Sequence, residues 1–129
     1  DREILAGLIA KTIRHYGFYS DCFVFGADYG LLSMIKKLDP AVNIGLIVPF
    51  VPVDPVRLMK EMGAVVYLNY VEQLTPDLVE ELHEAGYLVD GSVINTKERL
   101  NIAQKLGVDL AESDNPELIL ELLEEENAG

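Results

Sequence analysis

Two carboxylates fall where β-strands are expected. Asp90 lies inside the apolar run "YLVDG", and Glu112 directly follows "VDLA". An unpaired buried carboxylate costs several kcal/mol. Each must therefore face a wet cleft, unless the strand register is displaced by one residue. Two strand-end carboxylates are also what glycosidase-type proton transfer requires, although no other pattern here points to sugars. Asp28, Asn69, Ser92, Asn95 and Asp114 follow or close the apolar runs in the same way. With Asp90 and Glu112 they form the candidate ligand-facing set, a polar ring whose oxygens suit Mg²⁺ or Ca²⁺. Asp28 and Asp114 are equally placed to cap helices, and Asn95 can simply lead into a helix capped by Thr96. No residue is assigned a catalytic role and no metal set is assigned. Ser92, in "DGSVIN", has no identifiable histidine base to make it a nucleophile.

Other chemistries lack their signatures. No Gly-x-Gly-x-x-Gly follows a strand, and there is no Walker loop and no Gly-x-Ser-x-Gly elbow. The single cysteine, Cys22, rules out an internal disulfide framework and a multi-cysteine zinc site, and its place at the head of a predicted strand suggests a buried structural thiol. With 22 acidic against 10 basic residues the net charge is −12, which repels nucleic-acid phosphates. The longest apolar run, "IGLIVPFVPV", is too short to span a bilayer and carries two prolines. "VPFVPVDP" reads as a rigid loop. The N-terminus does not resemble a signal peptide. The expectation is a soluble, cytoplasmic protein with no nucleic-acid or membrane partner.

The elements that must position these residues recur regularly. Apolar runs begin near residues 22, 44, 65, 87 and 108, and helical stretches fill every gap. That period suits one βα unit with short loops and argues for a parallel sheet. Helix punctuation agrees: Asp28, Asp54, Thr75, Thr96 and either Asp114 or Asn115 are N-cap candidates, Pro55, Pro76 and Pro116 sit in first turns, and Gly17, Gly63, Gly86 and Gly107 stand at ends. The acids of "ELLEEEN" oppose the helix dipole, so the last helix is expected to fray. The chain reads as one domain, residues 1–129, with an N-terminal helix followed by five βα units. Two α/β architectures fit: an open flavodoxin-like sheet, or half of a (βα)₈ TIM barrel.

Motifs favour the second. "FVFGADYGLLSMIKKLDPAVNIGLIV" is similar to a strand ending in Ser-Phe-Asp, a helix and a Gly-Leu-Leu strand. "LTPDLVEELHEAGYLV" is similar to a helix with His-x-x-Gly leading to a Trp-Thr-Val-Asn strand, whose last position Asn95 keeps. "LGVDLAESDNPE" keeps Gly107, Val108, Asp109, Asp114 and Pro116 of a closing Gly-Val-Asp-Gly-Ile-Ile-Thr-Asp-x-Pro pattern. In this order the segments resemble the C-terminal part of glycerophosphodiester phosphodiesterases, which are TIM barrels.

The departures are as informative. The resemblance implies that the family's His-Arg, its metal-holding Glu-x-Asp, its His-Asp and its Glu-x-Lys strand belong to the other half, and no copy of them is found here. His15 and His83 fall within helices. The pocket tryptophan is replaced by Ser92, the serine and aromatic before Asp28 have become "GAD", and "LAESD" sets Glu112 and Ser113 in apolar or threonine positions. Together with a start on a helix without Met, this suggests an excised or engineered half-barrel. Such a module would lack autonomous catalysis and self-associate through its strand edges as a homodimer. The alternatives are a phosphodiesterase fragment that needs a separate N-terminal half, and a flavodoxin-like ligand-binding module. A phosphoric diester hydrolase activity, with Mg²⁺ or Ca²⁺, is expected only where a partner completes the site. Without one, no cofactor is expected.

Overall fold

The computed structural model describes residues 1–128. Six helices and five strands alternate: α1 (Arg2–Tyr16), β1 (Val24–Gly26), α2 (Tyr29–Leu38), β2 (Ile44–Ile47), α3 (Pro55–Met62), β3 (Val66–Tyr70), α4 (Pro76–Glu84), β4 (Leu88–Ser92), α5 (Lys97–Leu106), β5 (Leu110–Ala111) and α6 (Pro116–Ala128). The strands form one sheet in the order β1-β2-β3-β4-β5. Neighbours in sequence that are also neighbours in the sheet, joined each time by a helix, make parallel βα units. A flavodoxin-like sheet would run 2-1-3-4-5. The observed order excludes it and is that of a barrel wall.

Local chemistry sets the boundaries. Backbone N–H groups of Leu31, Arg57, Leu78 and Arg99 donate to the side chains of Asp28, Asp54, Thr75 and Thr96, satisfying first-turn donors that have no partner within the helix. Gly17, Gly63 and Gly107 close α1, α3 and α5 in the left-handed region, at φ 66°, 64° and 76°. Gly86, at φ 90°, stands just after Ala85 at the end of α4, and its N–H donates to the His83 carbonyl. Of the two candidates at the start of α6, Asn115 accepts from the Leu118 N–H. α6 runs to Ala128, and Gln104 Nε2 donates to Glu126 Oε2 at 2.9 Å beside its last turns.

The chain divides into two compact units, Asp1–Val48 with Pro52–Tyr67, and Pro49–Val51 with the residues from Leu68 onward. In the first, α1 packs on α2 through buried Ala6, Ala10, Ile13, Leu32 and Ile35. Tyr19 Oη donates to Asp39 Oδ2 at 2.6 Å, and that bond holds the Asp39 carboxyl below the usual range. The first ladder bond of β1 runs from Val24 N–H to the Asn43 carbonyl, so Cys22 precedes the strand and is half-buried, not buried. Among the described residues, no helix is long and apolar enough to cross a membrane.

In β2, Gly45 is paired with Phe25, whose ring lies across it. A Cβ at position 45 would stand 2.4 Å from Phe25 Cε1. The Gly45→Val variant therefore displaces that ring and destabilises the fold by about 1–3 kcal/mol. Urea denaturation of Gly45→Val, Phe25→Ala and the double variant checks this. The double variant should lose less than the sum of the two single losses.

Candidate functional site

The second unit holds the site. Its helix-side core gathers Val71, Ile94, Leu100, Ala103 and Ile119, with Val108, Leu122 and Leu123 packed against them. β4 and β5 run parallel, with Asp90 opposite Leu110 and Gly91 opposite Ala111. A Cβ on Gly91 would lie 3.1 Å from Val71 Cγ1 and 3.5 Å from Val108 Cγ1, so Gly91 faces the helix-side core. Strand alternation turns Asp90 and Ser92 to the opposite face. Glu112 continues the β5 ladder, since its N–H donates to the Gly91 carbonyl and its own carbonyl accepts from Ile94 N–H. It therefore shares the face of Leu110, Asp90 and Ser92.

This register brings two carboxyl groups together. Asp90 is 3% exposed, while Glu112 is open to solvent. Burial, then the Glu112 charge and the hydrogen bond to it, push the Asp90 carboxyl up to about 7. Below that value Asp90 holds a proton, because a buried carboxylate beside the Glu112 charge is costly to ionise. Asp90 Oδ1 has no hydrogen-bond partner among the described residues. The sequence offered a wet cleft or a displaced register for Asp90. The structure shows neither: the carboxyl is buried and linked outward through Glu112.

Beside Glu112 opens a cleft of about 450 Å³, lined by Ser92, Val93, Ala111, Glu112, Ser113, Asp114 and Pro116. Asn95 ties its rim. Asn95 Nδ2 donates to Asp114 Oδ2 at 3.0 Å, and Asn95 Oδ1 accepts from Ser113 Oγ and from Asp114 N–H. Thus Asp90, Ser92, Asn95, Glu112 and Asp114 do gather. Ser113 belongs with them and was noticed in the sequence only as a substitution.

The remaining candidates are spent on structure. Asn69 is 1% exposed, donates to the Phe50 carbonyl and accepts from Tyr70 N–H, which braces the Pro49–Val51 loop. Asp28 belongs to the first unit, where its two oxygens take Leu31 N–H and Arg2 Nε. The Arg2 bond is the main reason its carboxyl lies below the usual range. Asp109 Oδ2 accepts from Val89 N–H and meets His83 Nε2 at 2.7 Å, a brace at the start of β5. Arg99 pairs with Glu72. A divalent metal fits these residues poorly: among the described residues no group of three or more His, Cys, Asp or Glu side chains is arranged to hold one.

No protein-family model matches the chain. A glycerophosphodiester phosphodiesterase of Caldanaerobacter subterraneus is 26% identical over 115 residues, which are 89% of this chain and 47% of the relative. The structure of a Silicibacter pomeroyi protein described as a glycerophosphoryl diester phosphodiesterase superposes with a TM-score of 0.88 at 19% identity, over 98% of this chain and 45% of that one. The neighbours are glycerophosphodiester phosphodiesterases. An Oleispira antarctica phosphodiesterase, solved in complex with the product sn-glycerol-3-phosphate, superposes with a TM-score of 0.75 at 20% identity, over 79% of this chain and 41% of its own. The chain spans about half the length of the curated phosphodiesterase it matches. This agrees with the resemblance drawn from the strand-end motifs and with a half-barrel of this phosphodiesterase fold.

Asp90 gives a pH dependence whose sign is fixed. Its folded pKa lies above the ordinary value of 3.8, so the folded state holds a proton that the unfolded state releases. The stability it contributes is full below about pH 4 and is lost as pH rises toward about 7. Denaturant midpoints measured from pH 4 to 8 should show that decline. Asp90→Asn should flatten it and stand about 1–3 kcal/mol above the parent at pH 8.

Proposed function

We propose that the chain is the C-terminal wall of a glycerophosphodiester phosphodiesterase barrel, a scaffold half with no autonomous catalysis that acts only when joined to a complementary half. The observation that carries this reading is coverage. The fold follows 45% of the Silicibacter chain at a TM-score of 0.88 while using 98% of its own residues. A (βα)₈ barrel needs eight strands. The five here leave three for the other half to supply. A second copy would bring the total to ten, so a homodimer fits the strand count less well than an N-terminal half does.

In the assembled barrel, this chain would supply the ends of β4 and β5 as one side of the pocket. The opposite half would carry the His-Arg, the His-Asp and the metal-holding Glu-x-Asp that the family resemblance implies. A divalent metal held there would stabilise the charge on the phosphoryl oxygens. The reaction would be hydrolysis of a glycerophosphodiester, with sn-glycerol-3-phosphate, the product seen in the Oleispira phosphodiesterase, as its product.

Mixing the chain with the separately produced N-terminal half of the Caldanaerobacter relative tests this. The expected outcome is a one-to-one complex by light scattering that hydrolyses glycerophosphodiesters, while each half alone is inactive. Hydrolysis by this chain alone, or a stable homodimer that refuses the second half, would overturn the proposal.

A further inference from the structure

Helix α1 carries two apolar faces, and its packing on α2 uses one of them. Ala6, Ala10 and Ile13 are buried on that side. Leu5, Leu8 and Ile9 form a second stripe at helical spacing, and it stays open: Leu5 is 46% and Leu8 58% exposed. Between this stripe and β1 lies an apolar groove of about 280 Å³, lined by Leu8, Ile9, Thr12, Ile13, Cys22 and Val24. Of the strands, β1 alone contributes to it.

The edge of β1 beside this groove is polar in its backbone and apolar on both flanks. Val24 N–H is spent on the Asn43 carbonyl in the β2 direction, so alternation turns Phe25 N–H and C=O to the open side. Val24 lines the groove, which sets Phe25 on the other face of the sheet. There its ring meets that of Phe23 edge-to-face at 6.2 Å, and Phe23 is 37% exposed. A docked helix cannot pair with such an edge, because its own N–H and C=O groups bond to one another. A small apolar molecule would leave the Phe25 groups unmet. An extended segment with apolar side chains on both faces meets the backbone and both flanks, and parallel strands buried on two faces have that composition.

We infer that this groove takes one parallel β-strand of the complementary barrel half, whose backbone pairs with Phe25 and whose side chains alternate between the α1 groove and the Phe23 and Phe25 rings. The direction follows from handedness. A helix that crosses between parallel strands does so right-handedly in nearly every case. α2 makes that crossing from β1 to β2, and α1 lies against both α2 and β1. α1 therefore holds the place of a crossover between β1 and a strand on its open side that runs the same way. The inference rests on the half-barrel reading and narrows it to one edge, one orientation and one kind of segment. It uses residues of the first unit alone.

Cys22 lines the groove and is the single cysteine of the chain, so its alkylation by iodoacetamide reports whether the groove is filled. The test co-expresses the chain with the N-terminal half of the Caldanaerobacter relative and follows Cys22 labelling by peptide mass spectrometry. Labelling in the complex should be at least tenfold slower than in the chain alone. Leu8→Glu changes an exposed side chain, so it should keep the fold of the chain while weakening the complex at least tenfold. Ile102→Glu, at an exposed position on α5, should leave the complex unchanged. Absence of any complex would overturn the half-barrel reading and this inference together. A one-to-one complex in which Cys22 labels at the free rate, or one indifferent to Leu8→Glu, would keep that reading and overturn this inference. Protection of Cys22 in the chain alone that grows with its concentration would assign the groove to a second copy, and would overturn it as well.

Discussion

An open parallel sheet leaves one row of backbone donors and acceptors unsatisfied on each outer strand, and the rest of this structure follows from that constraint. β1 and β5 are the outer strands. On β1, Val24 N–H is directed to Asn43 on the β2 side, so alternation points the Phe25 amide away from the sheet. Barrels remove such edges by closure. In the order β1 to β5, these two edges have no partner strand among the described residues. β1 and β5 are also the shortest strands, at three and two residues, one of the means by which unpaired edges are kept from pairing wrongly.

The same sheet explains why polar groups collect at one place. In a parallel βα wall, one face of each strand meets the helices and the other faces the barrel interior. Gly91 is pressed against Val71 and Val108 on the helix side, which leaves Asp90 and Ser92 on the other. Glu112 joins them because the β5 ladder continues past Ala111. The Asp90–Glu112 pair is therefore a product of register, and the raised Asp90 carboxyl chiefly a product of burial. Ser92 and Glu112 line the cleft that opens at these strand ends.

Much of the fold was legible in the sequence because its signals are local. Asp28, Asp54, Thr75 and Thr96 announced their helices through cap chemistry that acts within one turn, and the spacing of the apolar runs required a helix between strands. The choice between a flavodoxin-like sheet and a barrel wall is a matter of strand order, which no local signal carries. The motifs around Asn95 and Asp109 suggested the answer. The site was legible only as single residues. Asp90, Ser92, Asn95, Glu112 and Asp114 were each identifiable, but their convergence depends on the pairing of β4 with β5 and on the Asn95 contacts to the β5–α6 loop. Asp28 and Asn69 looked the same in sequence, and long-range partners, Arg2 and Phe50, absorb them into the scaffold.

Amide hydrogen exchange tests the half-barrel account most directly, by comparing Phe25 on the outer edge of β1 with Leu46 inside the ladder. In the chain alone, Phe25 should exchange near the rate of an unprotected amide while Leu46 stays protected, and adding a complementary N-terminal half should slow Phe25 to the rate of its neighbours. Strong protection of Phe25 in the chain alone would mean that the edge is already closed, and would contradict the account.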